Sequence, residues 1–300
     1  MHGQMVDASL SQHMKCPKCH FDHEAQTTEC RRCGILFEKY LAPSSVEPVP
    51  LTFEEEATLQ SREDTRQEWI LRIVAVPGAL LLSWAAVHVA PSAVRMLTMW
   101  VHEFGHAIAA WVSGFSAMPG PWFTSVDSDR SRGVTVLFIA LIGFGGFYAW
   151  QRRRWFWIGA LGAILVVLLL CTFGLYSDQA QQWITFGGDA GNFILGTVLM
   201  TTFYARKDHP INRNALRWGF LFIGALAFMD AWVVWSGGLQ NVPLGENSNG
   251  MSDPSVLTEL YSWNLQVLIS RYHKLATLCL AALAIVYAIG LAGPTRERRS

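Results

Sequence analysis

The apolar positions of this chain fall in blocks. Seven stretches, 70–90, 92–113, 134–150, 155–176, 183–205, 218–236 and 275–293, carry few charges. Each approaches or exceeds the roughly 20 residues that a helix needs to cross a ~30 Å hydrocarbon core. The pattern predicts an all-α polytopic membrane protein of about six to seven transmembrane helices. Pro77 should kink the first span, while Pro91 is placed to open the second as a first-turn proline and Gly114 to close it. Trp100, Trp111, Trp155, Trp183 and Trp218 include several at span ends, as an aromatic belt requires.

Outside the spans the patterning changes. Leu257, Leu260, Tyr261, Leu265, Leu268 and Tyr272 recur at helical spacing after Asp253-Pro254 and predict an amphipathic helix, interfacial or packed on the bundle. Thr52 followed by Glu55 resembles a capping box that starts a charged helix over 53–69 at the membrane surface. Pro43-Ser44-Ser45-Val46-Glu47-Pro48-Val49-Pro50 reads as a stiff, extended linker. The expected organisation is a disordered 1–15, a cysteine module 16–40, a linker and charged helix 41–69, a transmembrane domain 70–293 and a basic tail 294–300.

Composition agrees with a lipid solvent: 51% of residues are hydrophobic and 15% charged, and the mean hydropathy is +0.25. A net charge of zero offers no field for nucleic acid, so no nucleic-acid partner is expected. The first fifty residues lack the apolar core of a cleavable signal peptide. We expect an integral protein of a bacterial inner (plasma) membrane, with the lipid bilayer as one partner.

Four of the six cysteines form two pairs, Cys16-Pro17-Lys18-Cys19 and Cys30-Arg31-Arg32-Cys33, separated by ten residues. Each pair can turn its sulfurs toward one centre, and four thiolates satisfy tetrahedral zinc. A closed tetrad of this kind is structural, folding a piece too small to build a core of its own. The stretch resembles small zinc ribbons, and its expected role is docking of a partner protein or substrate; His20 and His23 are available as substitute ligands. Thiolates favour a reducing compartment. Yet Arg152–Arg154, Arg206, Lys207, Arg213, Arg217, Arg296, Arg298 and Arg299 share one side of a seven-span chain, and the positive-inside rule then puts the head outside.

The second apolar stretch carries Trp100-Val101-His102-Glu103-Phe104-Gly105-His106. On a helix, His102 and His106 share a face and can chelate one metal, while Glu103 lies one residue round, where it can take a proton from metal-bound water. Zinc lowers the pKa of such a water to about 7. Ionisable groups at mid-span cost roughly 2.5–3.5 kcal/mol each on insertion scales, so they line a polar cavity or bind something. Gly105, Ala107, Ala109 and Ala110 would let neighbouring helices approach.

His102 to Ala110, continuing to Gly114, resembles the first motif of the site-two protease class of intramembrane zinc metalloproteases. The resemblance implies a membrane-embedded helix with two zinc-binding histidines and a catalytic glutamate, completed by an aspartate from a later, glycine-rich segment. Gly187-Gly188-Asp189-Ala190-Gly191-Asn192 is similar in kind. Carried over, Asp189 would be the third ligand and Asn192 would contact substrate backbone. The family's Asn-Pro-x-Asp-Gly form and its inserted peptide-binding domain are absent, and Asp230 is a rival third ligand nearer mid-span.

On this reading the chain is a zinc-dependent intramembrane endopeptidase. It would hold one catalytic and one structural zinc and cleave a transmembrane or juxtamembrane segment of another membrane protein. A zinc transporter and a non-catalytic metal-binding adaptor are the alternatives. His88 reads as interfacial or hydrogen-bonded, Cys171 and Cys279 as packed core thiols, Met96 and Met99 as packing residues, and Asp127, Asp129 and Arg130 as a solvated loop.

Overall fold

The computed structural model describes residues 13–24, 27–40, 53–205, 209–213, 215–247 and 250–297. The chain divides into two compact units, 1–62 and 63–300. In the first, strands β1 (His13–Lys15) and β2 (Asp22–Glu24) pair antiparallel around the first cysteine knuckle, and a single turn, α1 (Phe37–Tyr40), follows the second. Residues 13–15 are therefore a strand; the remainder of the stretch expected to be disordered, and the proline-rich linker, lie outside the described residues.

The seven apolar stretches all become helices. The charged segment after Thr52 and the first stretch form one continuous helix, α2 (Phe53–Val89), which runs through Pro77. Next come α3 (Pro91–Val112), α4 (Arg132–Gln151), α5 (Trp155–Gly174) and α6 (Ser177–Thr201); after the short α7 (Pro210–Arg213) comes α8 (Leu216–Ser236). A short α9 (Asp253–Ser255) and a π-turn, Val256–Leu260, precede α10 (Leu265–Glu297). Five of them, in α2, α4, α5, α8 and α10, are long and apolar enough to cross a membrane, and the protein is an integral membrane protein on that ground. At 22 and 25 residues α3 and α6 are longer than α4, α5 and α8, but they carry the polar residues of the motif.

The layering follows burial. Leu141, Phe144, Phe156, Val166 and Phe173 of α4 and α5 are exposed, as side chains that face lipid must be. In contrast, α6 buries Phe186, Phe193 and Met200 against Leu221, Phe228 and Trp235 of α8 and Leu268 and Tyr272 of α10. Helix α3 packs most extensively on α6. Their seam is made of glycine: a Cβ on Gly105 would collide with the carbonyl oxygen of Gly187, and one on Gly191 with the Cα of Gly105. Without a hydrophobic drive between helices in lipid, such backbone-to-backbone approach is what holds them.

Two connections differ from the sequence reading. Asp127, Asp129 and Arg130, expected in a solvated loop, belong instead to a hairpin of β3 (Phe115–Pro119) and β4 (Thr124–Arg130). Gly114, at φ +81°, turns the chain back along α3, and Arg130 fastens the hairpin through the carbonyl oxygens of Ser113 and Leu175 at 3.1 and 2.6 Å. The amphipathic helix expected after Asp253 is broken at Tyr261–Asn264. The Asn264 side chain accepts from the backbone N–H groups of Gln266 and Val267 and so starts α10 afresh. Leu268 and Tyr272 therefore belong to the last span, while a two-residue strand pair, β5 (Glu246–Asn247) with β6 (Gly250–Met251), precedes Asp253.

Candidate metal centres

In the head the two knuckles are built alike. The His20 N–H bonds to the Cys16 carbonyl at 2.9 Å and the Gly34 N–H to the Cys30 carbonyl at 2.8 Å, and both residues take left-handed backbone, at φ 55° and 70°. The sulfurs of Cys16 and Cys33 lie 3.6 Å apart and those of Cys19 and Cys30 3.5 Å. Thiolates on a tetrahedral zinc, with bonds of ~2.3 Å, would sit ~3.8 Å apart, so the four cysteines fit the ion expected of them. His23 is not a fifth ligand: its Nε2 is 3.3 Å from the Cys30 sulfur, where a ring N–H donates to a thiolate, and its ring packs between Phe21 and Phe37. Burial pushes the Cys30 thiol up, but backbone N–H groups of Cys33 and Arg32 outweigh it and bring the group to about 6.

In the membrane unit, α3 presents His102 and His106 to a polar cavity of about 600 Å³. The outer nitrogen of each ring is tied down. His106 Nδ1 lies 2.7 Å from the carbonyl oxygen of Ile184 and so carries a proton that it donates; His102 Nδ1 likewise donates to Asp189 Oδ1 at 3.1 Å. Each Nε2 is left with a lone pair. The two Nε2 atoms lie 3.2 Å apart, and Asp253 Oδ2 is 3.0 Å from that of His102 and 3.1 Å from that of His106. Three acceptors converging in this way repel one another unless a proton or a metal ion lies among them. Ligands on a tetrahedral zinc, with bonds of ~2.0 Å, are ~3.3 Å apart, so this triangle has the right edges. His102, His106 and Asp253 are one of the two groups of described residues that could hold a metal; the four cysteines are the other.

The expected third ligands are therefore elsewhere. Asp189 faces the opposite side of the His102 ring, and its second oxygen accepts from Trp235 Nε1 at 2.8 Å. The flanking glycines do not unwind α6, which is regular from Ser177 to Thr201. They thin it instead: a Cβ on Gly188 would come within 2.5 Å of both imidazoles. Asp230 is committed to Thr98, whose hydroxyl donates to it at 2.8 Å, and to Arg95 at 3.4 Å. Asn192 is 1% exposed, lies outside the cavity lining, and its Oδ1 has no hydrogen-bond partner among the described residues.

Glu103 opens onto the same cavity. Thr124 Oγ1, on β4, donates to Glu103 Oε2 at 2.7 Å, so the hairpin sets the carboxylate's orientation. Asp253 and Thr124 come from connections, and periodicity could not have singled them out. The Ser-Asp-Pro turn between the last two spans was the one sequence signal for Asp253. Trp235, Tyr272 and Phe186 form a stack behind the site, with ring centroids 4.0 and 4.2 Å apart. The stack holds the indole that holds Asp189. No protein family, no curated protein and no solved structure matches the chain.

Proposed function

We propose that the chain is a zinc-dependent intramembrane endopeptidase acting on a transmembrane or juxtamembrane segment of another membrane protein, a mechanism resembling that of site-two proteases. The observation that carries this reading is the convergence of two tethered imidazoles and one carboxylate oxygen, with edges of 3.0–3.2 Å, on a cavity that Glu103 also faces. His102, His106 and Asp253 would hold the ion, with Asp253 in the place the sequence assigned to Asp189 or Asp230. Zinc there would polarise the scissile carbonyl and acidify a water in the remaining position.

The chain supplies the rest. Glu103 takes the water's proton and passes it to the leaving amine. Thr124 holds one of its oxygens and leaves the other for that exchange. The Asp189 carboxylate fixes the His102 ring and makes its free nitrogen a stronger donor. A substrate helix must unwind before it is cut, because its amides are shielded by their own hydrogen bonds. The four-cysteine head is the natural place for a partner or substrate to dock.

A zinc carrier needs successive ligand sets along its path. Among its described residues the membrane unit holds one candidate group, His102, His106 and Asp253, and Asp253 lies on a connection rather than a span. The decisive comparison is wild type against Glu103→Gln, scored for cleavage of co-expressed membrane proteins and for bound zinc. The variant is expected to keep its zinc and yield no product. Equal product from both would remove Glu103 from the mechanism. Zinc flux into reconstituted vesicles, unchanged by Glu103→Gln, would instead favour a carrier.

A further inference from the structure

Arg95 lies seven residues before His102, almost two helical turns, and so faces the same cavity along the stripe Arg95, Met99, His102, His106. It is the one lysine or arginine among the described residues that line this cavity, whose other charged walls are Glu103, Asp189 and Asp253. It also lines a neighbouring crevice of about 440 Å³ beside Val87, Pro91 and Asp230. Its ion-pair partner is Asp230, with Nε 3.4 Å from Asp230 Oδ2, and the Arg95 side chain stays 34% exposed. Neither Nη donates a hydrogen bond to any described residue.

An ion pair with Asp230 alone does not account for this arrangement. Asp230 already has the Thr98 hydroxyl, and a lysine would supply the same point charge. Arginine differs by its planar fork of donors, which matches a carboxylate. Here Nε lies beside Asp230, and neither Nη is committed to a hydrogen bond with a described residue. The rise from Arg95 to His102 is about 10 Å, which an extended peptide covers in about three residues.

We propose that Arg95 is a carboxylate-binding subsite of the proposed peptidase, reading an acidic side chain or a free C-terminal carboxylate about three residues from the bond to be cut. The assignment rests on the peptidase reading. Asp230 and Thr98 set the guanidinium, and the fork forms charge-assisted hydrogen bonds with the substrate's carboxylate.

The test uses full-length Glu103→Gln protein in phosphatidylcholine nanodiscs and three hydrophobic decapeptides. One is capped at both ends and carries a single glutamate; its twin carries glutamine; the third is the glutamine peptide with a free C-terminal carboxylate. Binding is read by quenching of tryptophan fluorescence. At least one carboxylate peptide is expected to bind about tenfold more tightly than the neutral one, and which one does so identifies the source of the carboxylate. Adding Arg95→Gln with Asp230→Asn, which removes both charges together and leaves no buried carboxylate unpaired, should abolish that preference and leave the neutral peptide unaffected. Arg95→Lys, which keeps a charge beside Asp230, should retain less than half of the preference.

Equal binding of charged and neutral peptides would overturn the subsite while leaving the peptidase reading intact. So would a preference that vanishes once phosphatidylglycerol is added to the nanodiscs, because Arg95 would then belong to a lipid phosphate. Failure of all three peptides to bind a protein that retains its zinc would overturn the peptidase reading with it.

Discussion

Asp189 and Asp253 divide the two nitrogens of His102 between them, and the difference in role is measurable. Asp253 Oδ2 touches both Nε2 atoms, so Asp253→Ala removes the proposed third ligand, and zinc per chain should fall from two ions to one. Asp189 touches only Nδ1. Asp189→Asn keeps an acceptor but loses the charge that orients and strengthens the imidazole, and zinc affinity should drop roughly 10–100-fold without abolishing the site. Metal titrations of the two variants separate the roles; complete loss of the ion in Asp189→Asn would return Asp189 to the ligand set. The pair His102 and His106, with Glu103 between, was legible in the sequence because the i, i+4 spacing of a helix is local geometry. Which aspartate completes the set was not, since Asp189, Asp230 and Asp253 all reach the neighbourhood of α3 and only distances tell them apart.

The helices that failed a simple hydropathy reading are the ones that build the centre. Between them α3 and α6 carry histidines and carboxylates, where α4 and α5 carry neither, because the first pair is buried in protein and the second faces lipid. Their seam has no room for a side chain. Gly105→Ala should lower stability by about 1–3 kcal/mol through overpacking, read from unfolding in mixed micelles, since the new methyl meets the Gly187 carbonyl. Gly188→Ala should act differently: its methyl strikes His102 and His106, so zinc binding at this site should be lost with a smaller effect on unfolding. A variant that unfolds as readily as Gly105→Ala yet still holds two ions would contradict that distinction. The β3–β4 hairpin was missed because Asp127, Asp129 and Arg130 read as solvated, whereas in the fold Arg130 spends its donors on backbone carbonyls and Thr124 spends its own on Glu103.

The chain carries two candidate metal centres that rest on unrelated physics. The head is held by four sulfurs around a small apolar cluster of Cys16, Cys30 and Phe37, so Cys16→Ser with Cys19→Ser should leave one zinc per chain. That ion should remain at the histidine centre, with the unfolding midpoint of the membrane unit unchanged. Sequence alone determined the lipid-facing character, the long helices, the cysteine tetrad and the histidine pair. Each of these depends on composition or on spacing within a few residues. Tertiary structure decided which carboxylate joins the two histidines, the tether on each imidazole, the threonine beside Glu103 and the pairing of Arg95 with Asp230. Those partners lie some 20 to 150 residues apart in the chain, and only the close approach of α3 to α6, α8, the β3–β4 hairpin and the last connection brings their atoms together.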